Sequence, residues 1–477
     1  DDVMGVSGVP GWIEDYALIG DMQTAALIGR DGSVDWLCLP DFDSSSCFTA
    51  LLGDEQNGCW TMRPAEGPRE ATRRGYRGET LVLESEWETD TGTVRVIDFM
   101  PPRGGAPHVV RIVEGVRGSV QMHTSLRLRF DHGHVVPWMH RAGSELVAIA
   151  GPDAVWLSAP VELQGHNFTH DATFTVTAGQ RIPFVMTWHP SQTEESDHLD
   201  AEKALSRTQL FWQDWSAQCS YDGPHREAVV RSLITLKALT YRPTGGIVAS
   251  PTTSLPEEIG GVRNWDYRYC WLRDGALTVQ ALVSLGSTDE AEAFLEWVHG
   301  VVDSLPGPEM LRPLYSLRGT DLGPEEVVDT LSGYAGSRPV RVGNLADHQV
   351  QLDVFGPVVE LITKLSQARG HLVDRDWDLV RSMAEAVARR WHEADHGIWE
   401  ERDEPRQRVY SKVMCWVTLD RALKLAERYG RDADTSWPAL RAEIADEVLE
   451  HGWNETAQAY TTAYDGEDLD AASLHIG

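Results

Sequence analysis

Three segments of this chain concentrate side chains able to do chemistry on a polyhydroxylated substrate. The first, Asn264-Trp265-Asp266-Tyr267-Arg268-Tyr269-Cys270-Trp271-Leu272-Arg273-Asp274, leads into a helical pattern. Its aromatic rings offer flat faces, Arg273 a fork of N–H donors, and Asp274 an acceptor for paired hydroxyl hydrogens. Those are the groups a sugar site needs, and the same residues also fit a helix N-terminus with a surface Arg–Asp pair. The second is Asp395-His396-Gly397-Ile398-Trp399-Glu400-Glu401-Arg402. A carboxyl group beside an apolar wall and a like charge resists ionisation, which suits a general acid. Taken alone, adjacent glutamates are more often a solvated pair. The third is Ser337-Arg338-Pro339-Val340-Arg341-Val342-Gly343-Asn344, followed by Gln349, Gln351 and Asp353. It fits either the lining of a polar pocket or an ordered loop.

Other chemistries find no support. There is no P-loop, no GxGxxG after a strand, no HExxH and no GxSxG elbow. The six cysteines form no CxxC and no Cys/His cluster at zinc spacing, so no metal site is expected and the thiols read as reduced. His132 and His134 fall in a strand-to-loop region and are expected at the surface. With 42 basic and 73 acidic residues the net charge is −31, which counts against nucleic acid and anionic membranes as partners. No apolar run approaches the ~18 residues of a membrane span, and the N-terminus shows neither a basic nor an apolar leader region. The expected compartment is the cytoplasm. Tryptophan is abundant, 18 against 12 Tyr and 10 Phe, and indole stacks well on pyranose rings, although most tryptophans in any protein are core.

Two halves must position these segments. From about 15 to 195 the pattern is β. Leu81 to Trp87 turns at Asp90-Thr91-Gly92 and returns as Thr93 to Phe99, a hairpin; Leu126, Leu128 and Phe130 alternate with Arg127 and Arg129; and Phe174 and Val176 lead through Ala178-Gly179 to Ile182, Phe184 and Met186, a second hairpin. Short strands with Gly and Pro turns favour a sandwich. Residues 191–200 are polar and acidic, as in a linker. The period then becomes helical, first over a segment with Leu205, Leu210, Trp212 and Trp215, and then at about 226–241, 273–285, 288–304, 348–369, 376–394, 411–429 and 435–451. The long loops between these helices carry the motifs, where function usually sits.

Together with Glu14 to Asp21, the DGSVDWLCLPDFDS stretch from Asp31 to Ser44 and SKVMCW from Ser411, these segments resemble glycoside hydrolase family 15 over essentially the whole chain. More narrowly, they resemble its actinobacterial trehalase and glucoamylase-like members. The resemblance implies an N-terminal antiparallel β-sandwich (1–195), a helical linker (196–222) and an (α/α)6-barrel catalytic domain (223–477). It further implies inverting removal of glucose from a small α-glucoside, with α,α-trehalose first and a glucoamylase-type or isomaltose/maltooligosaccharide α-glucosidase second. By the same resemblance Tyr267 stacks near the developing oxocarbenium ion, Arg273 and Asp274 grip the terminal glucose, and Glu400 is the general acid. Trp271, Trp399 and Glu401 complete the substrate-binding set. Glu401, with Asp403 where many relatives have Gly, and with Arg408 and Tyr410, departs from the actinobacterial pattern on the leaving-group side.

The family's general base is a Glu in a Gly-Leu-Leu-Ala-Glu-Glu-like motif that these residues do not contain. About seven barrel helices are counted from Arg226, against the twelve of an (α/α)6-barrel. The expectation is a catalytic domain whose C-terminal part is missing. A catalytically inactive glucan-binding or assembly protein is the reading of a different class that follows. No cofactor is required for the chemistry, phosphate and Mg²⁺ entering only through the resemblance, and self-association into a homo-oligomer is left open.

Overall fold

The computed structural model describes residues 11–193, 198–464 and 466–476. Residues 1–10, read for a leader, and 194–197 of the expected linker lie outside them. The chain forms two compact units. One takes the chain up to Pro243 with Ser250–Arg268 and Glu325–Val342; the other takes Thr244–Ala249, Tyr269–Pro324 and Gly343 onward. These units cross the sequence boundaries at 195 and 222, because several helical and loop segments pack against the sheets.

In the first unit the expected hairpin forms, Leu83–Thr89 pairing antiparallel with Gly92–Phe99. The second does not. Thr169–Thr177 and Arg181–Pro190 are both strands, but each pairs with a different half of one long strand, His108–Arg127. Gly115 and Gly118 interrupt that strand; Gly118 has φ +69°, and a Cβ at either would come within 2.1–2.2 Å of a carbonyl oxygen. Glycine there lets the strand cross from one sheet to the other, so the turn at Ala178-Gly179 joins sheets. The core between the sheets gathers Trp60, Met62, Trp87, Val94, Val96, Val113, Phe184 and Met186. Leu126, Leu128 and Phe130 also face it, although regular pairing ends at Arg127.

Strand periodicity explains what covers the outside. Val94 and Val96 face the sandwich, while Ile97 and Phe99 point the other way and lie under the helix α1 (Ala201–Ser216) with Val110, Ile112 and Leu205. Asp200 caps α1, accepting the Lys203 N–H at 3.1 Å. A second helix, α2 (Arg226–Ala238), also belongs to this unit. The segments 250–268 and 325–342 join it through a cluster of Trp36, Leu52, Leu331, Tyr334 and Val340, with Trp36 Nε1 donating to Pro251 O at 2.8 Å. His132, expected at the surface, is instead buried, its Nδ1 3.0 Å from the Ser46 hydroxyl. His134 is exposed.

The second unit holds α3 (Leu272–Ser284), α4 (Asp289–Asp303), α5 (Phe355–Arg369), α6 (Asp374–Arg390), α7 (Val409–Tyr429) and α8 (Trp437–His451). Contacts run from α3 to α5 to α7, with α4, α6 and α8 each packed on its predecessor. Burial follows: ten of the fifteen residues of α5 are buried, against three of fifteen in α8. The run of contacts marks α3, α5 and α7 as an inner row and the others as an outer row, as in an α/α toroid. Each outer helix returns the chain, so the inner helices all begin at the same end. The helix expected from 348 starts only at Phe355. Residues 345–354 form two 3₁₀ turns around extended Gln349 and Gln351, whose side chains bind elsewhere.

Candidate active site

Within the second unit, the loops entering α3, α5 and α7 bring residues 271–274, 349–353 and 400–401 together at the shared end of the inner row. Cys270–Trp271 pairs with Leu314–Tyr315 just before α3, fixing Trp271 as a fully buried ring. The loop before α7 turns at Gly397, where φ is +71° and a Cβ would stand 3.1 Å from Arg408 Cγ. Glu400 closes that turn, its N–H donating to Gly397 O at 3.2 Å, and itself has φ +52°. A left-handed glutamate costs roughly 1–2 kcal/mol, and strain of this kind concentrates at sites where the surroundings over-determine the backbone.

Those surroundings are specific. Trp271 Nε1 donates to Glu400 Oε1, and Gln351 Nε2 donates to the same oxygen at 3.2 Å. Gln349 Nε2 donates to the carbonyls of Glu400 and Glu401 at 3.3 and 3.2 Å. Arg273 Nη1 donates to Gln351 Oε1 at 3.2 Å and to Asp353 Oδ2 at 2.9 Å, while Nη2 lies 3.2 Å from Asp274 Oδ2. Burial raises the Glu400 carboxyl above the usual carboxylate range, and the Asp274 charge adds to this; Arg273, Trp271 and Gln351 act against it. Burial alone would weaken the charge on Arg273, but Asp274, Asp353 and Glu400 outweigh it and hold the guanidinium firmly protonated.

Trp271, Arg273, Asp274 and Glu400 are thus brought together. Trp399 is half exposed, its Nε1 donating to Asp470 Oδ1 at 2.9 Å. Glu401 faces away from this chain of bonds: both its oxygens accept from buried Arg408, one of them at 3.0 Å. Tyr267 belongs to the first unit, where its carbonyl accepts the Ser250 N–H at 2.9 Å. Sequence reasoning did not assign roles to Gln349, Gln351 and Asp353, which carry the network. Their period-two spacing, three polar side chains along an extended entry to a helix, was the available signal. Among the described residues no group of three or more His, Cys, Asp and Glu gathers as metal ligands.

Against known proteins, residues 223–476 match the family model of glycosyl hydrolases family 15, and residues 3–212 match a trehalase-like N-terminal model. The trehalase of Mycolicibacterium smegmatis is 34% identical, covering 97% of this chain and 73% of that protein. The trehalase of Thermoplasma volcanium is 31% identical, covering 99% of this chain and 76% of that protein. The chain therefore spans about three quarters of the length of these relatives. A bacterial glucoamylase complexed with acarbose shares the fold, with a TM-score of 0.64 at 15% identity, covering 99% of this chain and 74% of that one. With a half-buried carboxyl at the end of an α/α row, in a chain matched by the family model over more than half its length, the placement is consistent: the chain belongs to glycosyl hydrolase family 15 and is a glycoside hydrolase.

Proposed function

We propose that this glycoside hydrolase cleaves α,α-trehalose with inversion, and that Glu400 is its general acid. The observation that carries the reading is the one-sided binding of Glu400. Both donors, Trp271 Nε1 and Gln351 Nε2, occupy Oε1, so a proton on this carboxyl sits on Oε2. Burial keeps that proton in place until an acceptor arrives. The glycosidic oxygen of a bound glucoside is such an acceptor. As the bond to the anomeric carbon lengthens, the proton passes to the leaving oxygen and the carboxylate left behind is stabilised by Trp271, Gln351 and the nearby Arg273 cation. Arg273 and Asp274 offer a donor fork and an acceptor to the hydroxyls of the terminal glucose. Trp399 and Glu401 lie next to Glu400 in the chain, on the side we assign to the leaving sugar. In an inverting enzyme water attacks from the opposite face, activated by a second carboxylate about 6.5–9.5 Å from the acid; we assign that base to none of the residues described.

The trehalase relatives support trehalose as the substrate. Phosphate and Mg²⁺ have no step in this proposal. We infer a cytoplasmic setting, supported by six unpaired cysteines; no helix among the described residues is long and apolar enough to cross a membrane. The test is glucose release from trehalose, maltose and isomaltose, followed by NMR for the anomer first formed. Glu400→Gln keeps the shape and removes the proton donor. Its kcat on trehalose is expected to fall by about 10²–10⁴, with the melting temperature unchanged or higher. Near-native turnover of that variant would overturn the assignment.

A further inference from the structure

Asp395 and Asp353 form an arrangement that the acid and the sugar-binding residues do not themselves require. Both side chains are fully buried. Asp395 Oδ2 accepts the Leu352 N–H at 2.9 Å and the Ser411 hydroxyl at 2.7 Å, while its Oδ1 has no partner. Asp353 Oδ2 accepts from Arg273 Nη1 at 2.9 Å, and its Oδ1 has none either. Leu352, whose N–H holds Asp395, is the chain neighbour of Asp353, which brings the two carboxyl groups into one dry neighbourhood. Two buried acceptors without donors are costly, and two carboxylates sharing such a site cannot both ionise freely. One proton answers both problems. Asp353 faces a guanidinium, whereas the donors to Asp395 are a neutral amide and a neutral hydroxyl, so the shared proton belongs on Asp395.

We propose that Asp395 is a positioning residue that stands as a neutral carboxylic acid, donating from Oδ1 to Asp353 Oδ1. Asp353 thereby keeps Arg273 in place, and Arg273 keeps Gln351 against Glu400. The inference rests on the reading of Arg273 and Glu400 given above. The ionisable groups around Asp395 are Asp353 at the entry to α5 and Lys412 and Cys415 on α7. Lys412 Nζ is taken up by the carbonyls of Trp391 and Glu393. Burial first, then the Asp353 charge, push Asp395 up to about 6, against the pull of Ser411, the Leu352 N–H and Lys412.

The experiment compares Asp395→Asn with Asp395→Ala in the enzyme, measuring kcat/KM for trehalose and the melting temperature from pH 4.5 to 8. Asparagine offers an N–H where the acid has its O–H and retains a carbonyl for Leu352 and Ser411. It is expected to stay within about threefold of the native enzyme at pH 5 and to surpass it above pH 6, where Asp395 ionises beside Asp353. Alanine is expected to lose at least about tenfold at every pH. The folded pKa of Asp395 exceeds the unfolded value near 3.9, so the folded state holds the extra proton between them. Native melting temperature should therefore fall relative to the Asn variant as pH rises to about 6 and run parallel above it. An Asn variant as impaired as Ala at pH 5, a fully active Ala variant, or a melting difference independent of pH would each overturn the proposal. Melting needs no turnover. If Glu400→Gln stays active while the melting pattern holds, it is the reading of Glu400 that fails.

Discussion

Within one eleven-residue segment lie two arginine–aspartate pairs with opposite fates. Arg268 and Asp266, in the first unit, are fully buried and matched side to side, with N···O distances of 2.9 and 2.7 Å, and Arg268 Nη1 donates to Ser44 O at 2.7 Å. Each oxygen of Asp266 and each guanidinium nitrogen of Arg268 is engaged. Arg273, in the second unit, is also buried but surrounded by more carboxylate than it can satisfy. Asp274 Oδ2 is buried without a well-formed hydrogen bond, although it is within ion-pair distance of Arg273 Nη2. A closed network holds a fold together, since every polar group withdrawn from water has been repaired within the protein. An open one keeps acceptors and donors for a partner that arrives later, and a hydroxyl-rich sugar is such a partner.

The difference can be broken experimentally. The largest effect is expected for Arg268→Ala, which leaves the buried Asp266 charge unpaired and should cost about 3–5 kcal/mol of stability. Denaturant unfolding would show it, and activity should decline only as the folded fraction declines. A variant that folds normally yet binds sugar poorly would put Arg268 in the wrong class. Next comes Asp274→Asn. Loss of its hydroxyl contacts should reduce kcat/KM by about 1–3 kcal/mol, on the order of 10–100-fold, on trehalose and maltose alike. Its melting temperature should hold or rise, because a charge facing Glu400 is gone. Asp274 helps keep the Glu400 proton on, so the alkaline limb of the pH–rate profile should move to lower pH.

The smallest effect is expected for Trp271→Phe. Losing one hydrogen bond to Glu400 should cost about 1 kcal/mol in kcat/KM, several-fold in rate. Here the limb should move the other way. The indole N–H favours the ionised carboxyl, so without it Glu400 stays protonated to higher pH. Opposite shifts from two neighbours in one segment, measured by the same pH–rate profile, would tie both to the acid. Shifts of the same sign would refute that link.

Local pattern carried a large part of this. Among the described residues, the helices after Arg226 lie close to where a 3.6-residue period put them, apart from the late start of α5 at Phe355, since an amphipathic face must be buried wherever it packs. The hairpin at Thr91-Gly92 and the burial of Leu126, Leu128 and Phe130 follow from a period of two. Residue types also singled out the segments around Asp274 and Glu400, and the fold brings both to one network around Arg273. What local pattern could not decide was partnership. Trp271 and Glu400 are 129 residues apart, and Gln351 and Glu400 49; nothing in either segment announces the other. The strand through Gly115 and Gly118 reads as one element, and only its two sets of partners show that it belongs to both sheets. Whether an Arg–Asp pair is closed or open, and whether a buried carboxyl such as Asp395 faces a cation or another acid, depends on which side chains the packed helices bring within 3 Å or so, a distance at which electrostatics in a dry interior outweigh any local propensity.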